Sequence, residues 1–138
     1  MVATEAYLAQ HGNPRRVADL AGHACIVYSS VQGDDRWRLT ATGGASSSVP
    51  VKGPFRSNNL SAVLAAAGNG MGLAIVPWYM ARESIASGTV KPVMADHSLP
   101  AQEIHAVYPS PKLVPNKVTA FIDHLQGRLG GDWWLSAI

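Results

Sequence analysis

Few residues in this 138-residue chain stand at spacings that could carry out chemistry. Gly68, Gly70 and Gly72 invite comparison with a dinucleotide fingerprint, but that motif follows a strand and opens a helix. Here an apolar helical stretch precedes the glycines and a strand-like run follows them. The order assigns them to a helix C-cap and a tight turn, where glycine tolerates positive φ. The five histidines, His11, His23, His97, His105 and His124, include no pair separated by three to five residues. Cys25 is the single cysteine, so neither a zinc site nor an internal disulfide follows from spacing. His23 lies near Cys25, yet no catalytic cysteine signature and no G-x-S-x-G motif accompanies them. Asp34-Asp35 falls in a polar stretch, and Glu83, Asp123 and Asp132 are scattered, so no carboxylates are paired by local spacing for acid/base work. These residues imply no enzyme, no metal and no cofactor.

Arg56 differs because it stands just before Ser57-Asn58-Asn59, a cluster of N-cap types that precedes an apolar helical stretch. Backbone N–H groups and the helix dipole at such a start favour an anion, and a neighbouring guanidinium adds to that preference. Surface charge is the plainer alternative for Arg56.

The elements that would position these residues are legible from periodicity. Leu60, Val63, Leu64 and Ala67 fall at i, i+3, i+4 and i+7, one apolar stripe. Val49 and Val51 begin a strand before that helix, and Leu73 to Val76 read as a fully buried strand after it. The unit from Val49 to Pro77 therefore predicts two parallel strands side by side, with a helix aimed at the crevice beyond their carboxyl ends. Further elements are a helix over 5–10 ended by Gly12 and Pro14, a short amphipathic turn over 17–21, and a buried strand over 25–28. A hairpin strand over 37–40 and a helix from Pro77 to Gly88 come next, then strands over 90–94 and 104–108. In the last helix Val118, Phe121, Ile122, Leu125 and Leu129 repeat behind Pro115.

Only 14% of the residues are charged, below the ordinary ~25%, and this leans towards self-association. The net charge of +2 is scattered, without the basic patch that nucleic-acid binding requires. No run approaches the ~18 apolar residues of a membrane span, and the N-terminus lacks the pattern of a signal peptide. The expectation is a cytoplasmic protein without direct nucleic-acid or membrane contact. The apolar tail over 131–138, with Trp133 and Trp134, packs either on its own body or against a second copy.

Four ordered segments resemble the effector-binding domain of LysR-type transcriptional regulators. EAYLAQHGNPRRVADLAGHACIVY is similar to the family's P-x-Y-L-x-x-x-G-x-P-x-x-x-x-D-L-x-x-H segment, and NNLSAVLAAAGNGMGLAIVP to its helix and G-x-G-[IL] strand. SGTVKPVM, and IHAVYP followed by PNKVTAFIDHL, resemble its close. The resemblance implies an α/β fold of the periplasmic-binding-protein-like type 2 kind, with a mostly parallel sheet flanked by helices. It also implies a non-enzymatic module that binds a small organic effector, often a carboxylate, between two subdomains. Residues 4–103 match the second subdomain and 104–130 the return to the first. The family's helix-turn-helix and the front half of its first subdomain have no counterpart, so the module is expected to be truncated. Its half-cleft should be lined by Ser29, Ser30, Arg56, Ser57, Asn58, Asn59, Pro77 and Trp78. A homodimer is expected because the final strand and helix need a surface to cover them; in the alternative reading the old cleft itself serves as an interaction surface.

Overall fold

A computed structural model describes residues 1–29, 35–100, 105–107 and 114–130. Candidate residue Ser30 and the tail over 131–138 lie outside the described residues. The chain divides into two compact units, Met1–Pro100 and Ala101–Ile138. The first contains β1 (Val2–Ala3), α1 (Glu5–His11), a 3-10 turn (Val17–Gly22), β2 (Cys25–Tyr28), β3 (Arg36–Ala41) and β4 (Ser46–Pro50). It continues with β5 (Arg56–Ser57), α2 (Leu60–Gly68), β6 (Leu73–Ala74), α3 (Trp78–Ala86), β7 (Lys91–Pro92) and β8 (His97–Ser98).

The main sheet runs in the order β5-β2-β6-β1-β7. Its first three strands are parallel, whereas β1 pairs antiparallel with both β6 and β7, so the sheet is mixed rather than mostly parallel. Two further expectations change. The strand that leads into α2 is Arg56–Ser57, because Val49 belongs to β4 in a separate antiparallel sheet, β4-β3-β8. The strands on either side of α2 are also not neighbours: β2 lies between β5 and β6 and pairs with both. The connection through α2 crosses over a strand laid down earlier in the chain.

Strand alternation sorts the apolar residues of the unit into two cores. Cys25, Val27 and Leu73 face Tyr7, Leu20, Trp37, Leu39 and Val49. Ile26 and Ala74 face the opposite way, onto Val63, Ala66 and Ala67 of α2 and Ala81 of α3. Ile26, Leu73, Val63 and Leu20 are fully buried, and each side chain of this size contributes about 1.5–3 kcal/mol.

The glycine cluster has a local explanation. Gly70, at φ 75°, ends α2 by donating to Ala67 O at 3.0 Å, while Met71 N donates to Ala66 O at 3.1 Å. This pair of bonds is a Schellman closure. Gly72, at φ 150°, passes so close to β2 that a Cβ there would lie 2.2 Å from Ala24 O. The close approach brings Leu73 N to Ala24 O at 2.9 Å and starts the β2–β6 ladder.

In the second unit, α4 (Asn116–Leu129) follows Pro115, as the spacing predicts. Of the strand expected over 104–108, only 105–107 are described, and they form no strand. Val118, Ile122 and Leu125 are half-buried, while Phe121 is 62% exposed.

Candidate functional site

Three parallel strands end at the same edge of the main sheet. Ser29 follows β2, Ser57 closes β5, and Pro77 lies beyond β6, so the order β5-β2-β6 places these residues at the carboxyl ends of neighbouring strands. Ser29 N donates to Ser57 O at 2.9 Å, tying two of the ends together. Two helices also start here. Asn59 caps α2 by accepting from Ala62 N through Oδ1 at 3.1 Å, and Asn59 N donates to Ser57 Oγ at 3.1 Å. Pro77 caps α3, whose first residue, Trp78, is 50% exposed.

Chemically, this edge is a donor surface beside an aromatic ring. The oxygen of Asn59 is committed to its cap, which leaves its amide N–H groups free to donate. Asn58 and the hydroxyl of Ser29 make no bond to another described residue. Helix N-termini add unsatisfied N–H groups and a favourable field for an anion.

Arg56 is placed differently from the others. It is in register with Val27, whereas Ser57 is in register with Tyr28, so the two side chains leave β5 on opposite faces. Tyr28 packs with the α2 core and Val27 with the other, which puts Arg56 on the face covered by the second sheet. There its guanidinium is ion-paired with the carboxylate of Asp35. In the sequence Asp35 reads only as part of a polar stretch, and a separation of 21 positions between the partners exceeds any local spacing rule.

Elsewhere the titratable groups serve structure. The hydroxyl of Tyr7 accepts from Ala24 N at 2.9 Å and lies 3.2 Å from His23 Nδ1, while its ring stacks on His11 with centroids 4.3 Å apart. Both contacts converge on the phenol oxygen, which ties α1 to His23 and to the start of β2. Burial holds the His23 pKa below its ordinary value, with a further lowering from nearby His11 and an opposing pull from Asp19. Burial also pushes the Cys25 thiol up to about 12, so it stays protonated and points at the carbonyls of Leu20 and His23. That is the opposite of nucleophile activation. Among the described residues no group of three His, Cys, Asp or Glu is placed to hold a metal, and no helix is long and apolar enough to cross a membrane. A depression of about 530 Å³ between the 3-10 turn and β4, lined by Arg15, Arg16, Ser48 and His97 among others, shares no residue with the strand-end edge.

The model of the LysR substrate binding domain matches residues 1–130. This chain belongs to that family. Among related LysR-type regulators, the probable HTH-type transcriptional regulator LtrA of Klebsiella pneumoniae is 30% identical over 126 residues, covering 89% of this chain and 40% of LtrA. The full-length structure of the Vibrio cholerae virulence activator AphB, a member of the LTTR protein family, is similar with a TM-score of 0.73 at 29% identity. It covers 91% of this chain and 43% of AphB. The CrgA regulatory domain from Neisseria meningitidis gives a TM-score of 0.65 at 26% identity, over 94% of this chain and 63% of that domain. The LysR substrate-binding fold is thus the fold of this chain, which spans about 40% of the length of the curated relatives it matches.

Proposed function

We propose that this chain is a non-enzymatic effector-binding module of a LysR-type transcriptional regulator, with the carboxyl edge of β5-β2-β6 as one wall of its effector site. The observation that carries the reading is the meeting of two helix N-termini with Ser29, Ser57, Asn58, Asn59 and Pro77-Trp78 at one edge. Open α/β sheets bind ligands beyond strand carboxyl ends, and helix N-termini there favour anionic groups. A small organic acid fits this wall, with the exposed face of Trp78 available to an apolar or aromatic body and Arg56 within the same strand-end region. In this reading the opposite wall comes from sequence outside these 138 residues, and half a clamp binds weakly. DNA contact belongs to another part of the regulator, and the module works in the cytoplasm. Calorimetric titration with a panel of small aromatic and aliphatic acids tests the reading. Binding in the millimolar range or tighter supports it, and no heat from any acid at millimolar levels refutes it.

A homodimer is the second element of the proposal. It is favoured by the apolar stripe of α4, on which Phe121 is 62% and Leu129 37% exposed. Exposed apolar side chains in a stripe of this kind favour a covering surface. Whether the strand-end edge serves as that interface, rather than as a ligand site, is decided by the same titration. Sedimentation at micromolar concentration should give twice the 14.6 kDa chain mass, and a purely monomeric species would sink the dimer.

A further inference from the structure

Arg56 is the one cation among the candidate site residues, and it is already held by a carboxylate. Asp35 opens the approach to β3 and is fixed through its backbone, whose carbonyl accepts from Val51 N at 2.7 Å. Its side chain is 71% exposed and that of Arg56 49%, so water competes for both ends of the ion pair. Exposed pairs of this kind are favoured by only about 1.4- to 5-fold over separated partners. Ser29 lies two residues beyond Val27, just past β2 where the pairing with β5 continues, and therefore stands on the Arg56 face of the sheet, with a hydroxyl that bonds no other described residue. A carboxylate arriving at the end of β2 on this face meets a guanidinium whose present partner is weak enough to be exchanged.

We propose that Asp35 is a specificity-determining residue of this edge: a resident carboxylate that occupies Arg56 until a ligand carboxylate takes its place. The inference rests on the reading of the edge as a small-acid site and adds the residue that tunes it. Exchange replaces one ion pair with another and leaves Asp35 unpaired beside the complex, so acid binding by the unmodified chain is damped and depends little on salt. With an amide at position 35, acid binding creates a new ion pair, which is tighter and is screened by salt.

Titration of the full chain and of Asp35→Asn with benzoate and with benzamide, at about 20 and about 200 mM salt, tests this. Asp35→Asn should tighten benzoate by about 1.4- to 5-fold at low salt, lose most of that gain at high salt, and leave benzamide unchanged. In an Arg56→Gln background the same substitution should have no effect. Benzoate binding that Asp35→Asn leaves unchanged overturns the inference alone, since preference for benzoate over benzamide would still stand for the acid site. An equal gain for benzamide also overturns it, because that marks a general loosening. Benzoate binding by neither protein overturns both the inference and the acid-site reading.

Discussion

Removing one oxygen from Tyr7 gives a sharp test of how the first unit is held together. In Tyr7→Phe the ring keeps its place in the core and its stack on His11, but two polar contacts go. Ala24 N–H loses its acceptor at 2.9 Å, and His23 Nδ1 loses its hydrogen-bond partner at 3.2 Å. A net hydrogen bond is worth about 1 kcal/mol, and a partly buried donor left without a partner raises the loss to about 1.5 kcal/mol. For a cooperative unit near 100 residues, each kcal/mol moves Tm by about 4–8 °C, so a fall of about 6–12 °C is expected. Far-UV circular dichroism melts of the two proteins in one buffer at pH 7.5, roughly one unit above the ordinary histidine value, provide the assay. A Tm within about 2 °C of the parent would refute the claim that Tyr7 clamps α1 to the start of β2.

Two other outcomes follow from the same geometry. Gly72→Ala drives a Cβ to 2.2 Å from Ala24 O and also requires an unfavourable φ, so it should cost at least about 3 kcal/mol, seen as a large loss of Tm or of soluble protein. Gly43→Ala, where a Cβ meets nothing within 4 Å, should change Tm little and serves as the control. His23 has a folded pKa below its ordinary 6.5, so as pH falls the unfolded chain takes up the proton first. Its contribution is complete above about 6.5 and is lost as pH drops towards the folded value; urea unfolding across this range should show the slope, and His23→Gln should flatten it.

Much of this fold was legible because its helices carry their own periodicity. Leu60, Val63, Leu64 and Ala67 define α2, and Val118 to Leu129 define α4, without reference to the rest of the chain. The two-residue strands β1, β5 and β8 are not legible in the sequence because so short a run has no period to read. The insertion of β2 between β5 and β6 is a long-range pairing, and neither flank of α2 records it. For the candidate site, the residues at the strand ends follow from the local strand–helix pattern. Arg56 is marked by its place just before the α2 entry, but its face and its partner depend on register with Val27 and on a residue 21 positions away. Tyr7, which organises His11, His23 and Ala24, gave no sequence signal beyond its place in the family-like segment.

The central claim is that a small acid binds at the carboxyl ends of β5, β2 and β6. Backbone amide NMR of the labelled chain, titrated with a binding acid from the panel, tests it most directly. Shifts should concentrate at Ser29, Ser57, Asn58, Asn59 and Trp78, with the Trp78 indole moving alongside its backbone. Shifts centred instead on the Arg15, Arg16 and His97 depression, or spread without focus over the surface, would contradict it.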